Sequence, residues 1–124
     1  MPTKESIDRF LEGELIAFIG VSRNTKSFAN GVYRTMRDAG YCMVPVNQHA
    51  NEIERDHWYR SVADIPDVDG AIIRVQPDAA AHVVTECADR GVPRIWLHKG
   101  GGPATSTPEA VRIARERGLD VVDG

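Results

Sequence analysis

The stretch IAFIGVSRNTKSFANGVYRTM (residues 16–36) changes its period in the middle. It begins as an apolar run closed by Gly20. After Lys26 it becomes a helical repeat that sets Phe28, Val32, Thr35, Met36 and Ala39 on one face, with Gly40 at the end. A strand, a polar loop carrying Arg23 and Lys26, and a helix are the opening of a parallel βαβ unit.

The same alternation runs outward in both directions. Ser6 can cap a short helix containing Ile7, Phe10 and Leu11, which Gly13 ends. The first strand takes residues 15–19, and the others are YCMVPV (41–46), GAIIRV (70–75), RIWLH (94–98) and LDVV (119–122). Asp78 can start a helix with a buried stripe of Ala80, Val83, Val84, Cys87 and Ala88, stopped by Gly91. Thr107-Pro108-Glu109 is a strong helix start and Gly118 closes that helix. Residues 47–67 are polar without a sustained period, so they read as a long connection with at most a short helical turn. The fold class is α/β: a Rossmann-like, doubly wound, five-stranded parallel sheet with helices on both faces and strand order 3-2-1-4-5, forming one domain over residues 1–124. Ligands on such sheets sit outside the carboxyl ends of the strands where the winding reverses. In this order that point lies between the first and fourth strands, beside the opening loop and His98.

Composition narrows the function classes. The chain has 124 residues, 42% hydrophobic and 27% charged, which suits an ordinary globular core. Its net charge of -3 excludes a whole-chain basic field for nucleic acid or an anionic membrane. No apolar run approaches the roughly 20 residues that span a bilayer, and the polar start has no signal core. Cys42 and Cys87 form no CxxC pair and fit a reducing compartment, so the expected location is cytoplasmic.

Laid on the dinucleotide pattern GxGxxG, the loop from Gly20 matches only at its first position; Ser22 and Thr25 stand at the second and third. That weakens standard NAD binding. An anion site remains, because a helix beginning near Ser27 offers free amide donors and a positive dipole end. Ser22, Thr25 and Ser27 add hydroxyls, and Arg23 and Lys26 add charge. Helix capping with a solvated Lys26 is the equal alternative. After the second strand, Asn47 stands where a carboxylate usually grips the NAD ribose. A neutral amide tolerates a phosphorylated ribose that a carboxylate repels; a turn-forming Asn is as good a reading in isolation.

Together, IGVSRNTKSF, GYCMVPVN, YRSVADIPDVDGAIIRV, RIWLHKG and GLDVVDG resemble, in order and spacing, the stand-alone CoA-binding proteins with a Rossmann-like fold. They are also similar to the CoA-binding domain of the succinyl-CoA synthetase alpha subunit. The resemblance spans residues 16–123. It implies that Gly20 and Ser22 pack on the CoA diphosphate, that Lys26 meets a phosphate, and that Val46 and Asn47 border the adenosine. Ile65-Pro66 and Val75 would line the adenine or pantetheine path. The 3′-phosphate of CoA agrees with the neutral Asn47 and the basic loop. Three departures stand out. Lys26 keeps the charge of an arginine common in the family without its bidentate fork. HKGGGPATST replaces a Gln-containing turn. A Cys-containing tail that often follows VVDG is missing, so the chain is expected to be cut or naturally short.

His98 could act as a general base, a phosphate ligand or a polar strand terminus. Lys99 and residues 100–102 could form an anion nest. His49, Glu52, Glu54, Asp56 and His57 are metal-ligand types at no zinc spacing, and a solvated loop is preferred. Trp58 and Tyr59 read as anchors of the long connection rather than base-stacking groups, and Trp96 as core. No GxSxG elbow supports hydrolysis. The candidate cofactor-binding residues are therefore Gly20, Ser22, Arg23, Lys26, Ser27, Phe28, Val46, Asn47, Ile65, Val75 and His98, with no catalytic or metal residue assigned. The leading expectation is a non-catalytic module that binds coenzyme A or an acyl-CoA. The alternatives are an NAD(P)-linked enzyme and a subunit of an acyl-CoA synthetase-like complex, with a homo-oligomer or a synthetase-like partner chain as the assemblies left open.

Overall fold

The computed structural model describes residues 4–11, 15–20, 28–47, 59, 61–65, 68–97 and 107–123. Its elements are α1 (Lys4–Leu11), β1 (Ile16–Ile19), α2 (Phe28–Asp38), β2 (Met43–Val46), a 3-10 turn (Val62–Asp64), β3 (Gly70–Ile73), α3 (Pro77–Arg90), β4 (Arg94–Leu97), α4 (Pro108–Glu116) and β5 (Asp120–Asp123). The five strands pair in parallel, as the alternating pattern predicts.

The strand order is β2-β1-β3-β4-β5, which corrects the expected 3-2-1-4-5. Two local features explain the difference. β3 is GAII with all four residues buried, so it needs neighbours on both sides and a helix layer on both faces. β2 contains Pro45, which has no N–H to give a ladder. Ile16 N–H donates to Cys42 O and Gly20 N–H to Val46 O on the inner side of β2, while Pro45 O accepts from Tyr59 N–H on the outer side. The proline thus belongs at an edge. The winding therefore reverses between β1 and β3, and β4 stands one strand farther off.

Alternation along the strands divides the core in two. Ala17, Ile19, Ala71, Ile73, Ile95 and Leu97 face α3 and α4, where Ala80, Val84, Cys87, Ala110 and Ala114 meet them. Ile16, Phe18, Ile72 and Val122 form the other cluster, with Phe10 of α1 and Tyr33 of α2. Phe10 meets Trp96 edge-on at 5.6 Å, and Phe18 meets Tyr33 at 6.0 Å. Gly70 leaves the space for Phe10: a Cβ there would lie 3.2 Å from its ring.

The expected stripe of α2 holds in part: Val32 and Met36 pack against the second cluster. Tyr33 is fully buried, whereas Thr35 and Ala39 are exposed and the Thr35 hydroxyl donates to Gly31 O. α3 starts at Pro77, one residue before Asp78, which lies in the first turn. α4 starts as expected: Thr107 Oγ1 accepts from Ala110 N–H at 3.1 Å, with Pro108 next.

Gly20 joins the sheet to the loop after it. It has φ +121°, and a Cβ would fall 2.0 Å from Arg74 O, inside the backbone that follows β3. Gly20→Ala should therefore lower stability by about 3 kcal/mol through strain and clash. Urea unfolding checks this, with a reduced midpoint and an unchanged slope expected.

Candidate functional site

A cavity of about 320 Å³ opens at the carboxyl ends of β1 and β2, beside the residues that follow β3. Its sheet side is Ile19, Gly20, Val46 and Asn47. Val75 and three residues of α3, Ala79, Val83 and Glu86, stand opposite, with His82 at the rim and Ser61, just before the 3-10 turn, and Val62, its first residue, closing one end. It lies at the winding reversal, where open α/β sheets hold ligands.

The long connection is stapled across this site. Tyr59 forms an isolated parallel bridge with Val46, and Asn47 N–H donates to Tyr59 O at 3.0 Å. The Tyr59 side chain packs against the larger core cluster, so it anchors the connection as its sequence context suggests. Farther on, the Arg90 guanidinium gives Nε and Nη2 hydrogen bonds to Ile65 O at 3.1 and 2.8 Å. Ser61 Oγ donates to Glu86 Oε2 at 3.2 Å, and His82 Nε2 lies 3.4 Å from Glu86 Oε1. The turn is therefore held to α3 at both of its ends.

Four of the expected residues, Gly20, Val46, Asn47 and Val75, come together around the cavity. Ile65 does not border it; its side chain is fully buried in the core. The backbone of Phe28 opens α2. Ser22, Arg23, Lys26, Ser27 and His98 lie outside the described residues, as do Lys99, Trp58 and the His49 to His57 group. His98 follows β4, and β3 separates that strand from β1, so the expectation that His98 shares the winding reversal with the opening loop is corrected. Val75, after β3, takes that place. Ser61, Val62, Ala79, His82, Val83 and Glu86 were not anticipated. Val83 was expected on the buried stripe of α3 and does pack against the core, but it also lines the cavity with Ala79 and Glu86, for which the sequence had assigned no role.

Among the described residues, no group of three His, Cys, Asp or Glu is placed to hold a metal ion, and no helix is long and apolar enough to cross a membrane. Cys87 lies behind the cavity, and burial, then the neighbouring Glu86 carboxylate, pushes its thiol up from 9.0 to about 12.

A doubly wound sheet with a largely apolar cavity at its reversal is a small-molecule binding domain by architecture. The comparisons make this particular: residues 14–124 match the CoA binding domain family, and the chain belongs to that family. It is 35% identical over 80 residues to acetate–CoA ligase (ADP-forming) II of Archaeoglobus fulgidus, a stretch that is 62% of this chain and only 12% of that enzyme. A hypothetical protein from Pyrococcus horikoshii OT3 is similar in structure, with TM-score 0.85 and 29% identity over 98% of this chain and 84% of that one. The dinucleotide-forming acetyl-coenzyme A synthetase 1 of Ca. Korarchaeum cryptofilum, solved with phosphate and ADP, aligns with TM-score 0.79 and 28% identity over 93% of this chain and 26% of that one.

The thiols give a direct check on the packing behind the cavity. Cys42 is exposed and Cys87 buried, so a thiol reagent at pH 8 should label one thiol promptly and the second only after unfolding. The sign of the Cys87 shift adds a pH dependence. Below about 9 its thiol is neutral in both states; between about 9 and 12 only the unfolded chain loses the proton, so stability should fall across that window.

Proposed function

We propose that residues 1–124 form one domain that binds coenzyme A or an acyl-CoA without catalysing a reaction on it. The observation that carries the reading is the cavity itself. It unites Gly20, Val46, Asn47 and Val75 at the sheet's winding reversal, in a chain that belongs to the CoA binding domain family. Its walls fit such a ligand: Ile19, Val46, Val62, Val75 and Val83 offer apolar surface, while Asn47 offers a neutral amide.

In this reading the loop after Gly20 takes the phosphates. Ser22 and Ser27 supply hydroxyls, Arg23 and Lys26 supply charge, and the start of α2 at Phe28 supplies amide donors and its dipole. Asn47 tolerates a phosphorylated ribose. His98 is a further candidate contact beyond β4. Bound CoA supplies a thiol to which acyl groups attach; the domain's part is to hold and orient it. The unpaired cysteines accord with a cytoplasmic setting.

The likeness to the acetate–CoA ligase favours a second reading, in which the domain serves a synthetase-like partner chain. Co-purification of such a partner, or ligase activity appearing when one is added, would distinguish it from a free-standing carrier or regulator.

Thermal unfolding with CoA, acetyl-CoA, dephospho-CoA, NAD, NADP and ATP tests the proposal. A ligand at about 100 times its dissociation constant adds about 2.7 kcal/mol of stability. Stabilisation confined to CoA species is expected, and a response to NAD or NADP alone would overturn the reading. If Lys26 serves the 3′-phosphate, Lys26→Ala should weaken CoA about tenfold and dephospho-CoA far less; equal losses would move it to the diphosphate.

A further inference from the structure

We propose that Glu86 makes the cavity selective for an amine-bearing flat base, so that it takes the adenine of CoA and rejects the deaminated base. This rests on the CoA reading above. About 320 Å³ is at the low end for enclosing a whole drug-sized molecule, so the cavity receives one part of CoA. Charge decides which part. The described lining contains a carboxylate and neither Lys nor Arg, so phosphate is repelled there, whereas the sequence puts the basic Arg23 and Lys26 in the loop after Gly20. The apolar walls from β1, β2 and α3 suit the faces of a ring. A flexible pantetheine chain would lose more rotational freedom between them.

Glu86 is placed to read the edge of that ring. Its side chain is 36% exposed, and Ser61 and His82 each engage one of its oxygens, which fixes the carboxylate and leaves acceptor capacity on both. An ionised carboxylate only accepts hydrogen bonds. It is complementary to the exocyclic amine of adenine and opposed to the carbonyl oxygen that replaces it in hypoxanthine. Hydrogen bonds to charged groups carry about tenfold to hundredfold in affinity.

Isothermal titration calorimetry with CoA and with its deaminated, hypoxanthine-bearing analogue tests this. The wild-type protein should prefer CoA by about tenfold or more. Glu86→Gln, whose amide can donate or accept, should bring the two ligands within about threefold while still binding both. Equal binding by the wild type, or an undiminished preference in Glu86→Gln, would overturn the assignment while leaving CoA binding intact. Failure of CoA itself to bind the wild type would overturn the CoA reading and this inference together.

Discussion

The close approach of Gly20 to the carbonyl of Arg74 is the contact on which the rest of the molecule turns. It brings the end of β1 against the backbone leaving β3, with Arg74 N–H donating to Ile19 O at 2.8 Å just before it. Any side chain at position 20 would push these two strands apart at the place where the winding reverses. With β3 beside β1, the later strands build outward from β3 and β2 is left at the edge. The cavity then falls at the mouth of the β1–β3 pair. The glycine is thus required by the sheet, whatever part it also takes in binding.

The long connection completes the site by staying attached to both sides of it. Tyr59 joins the outer edge of β2, Ser61 joins Glu86, and Ile65 is clamped by Arg90. These links tie Tyr59, Ser61 and Ile65 to a strand and a helix that are themselves well packed. The same α3 buries Ala80, Val84 and Cys87 against the sheet and turns Ala79, Val83 and Glu86 toward the cavity. One helix therefore sets both core and pocket from adjoining faces.

Much of the fold was legible in the residues. β1 and β2 end where apolar runs meet Gly20 and Asn47, β3 stops at Ile73, two residues short of the expected Val75, and Thr107-Pro108 starts α4 where its chemistry requires. The strand order was not, because parallel crossovers of similar length allow β3 on either side of β1–β2. Pro45 and the uninterrupted GAII run held the information that decides it. Within the site, Gly20 and Asn47 were readable from the ends of their strands, and Val46 and Val75 only through the resemblance to the CoA-binding family. The α3 and Ser61 contributions were hidden because they depend on where the residues around Tyr59 and Ser61 dock, and no local period in the sequence encodes that. The α2 face was legible only in part: Val32 and Met36 pack against the core as expected, but Tyr33, with a large apolar body, is the residue fully buried, and Thr35 faces outward.

The central claim is that CoA enters at the carboxyl ends of β1 and β2 and beside Val75. Backbone amide chemical shifts recorded during titration with CoA test it most directly. The account predicts that the largest changes fall on Gly20, Val46, Asn47, Val75, Ala79 and Val83. Changes centred instead on Val68, Asp69, Gly91 and Val92 at the opposite end of the sheet would contradict it.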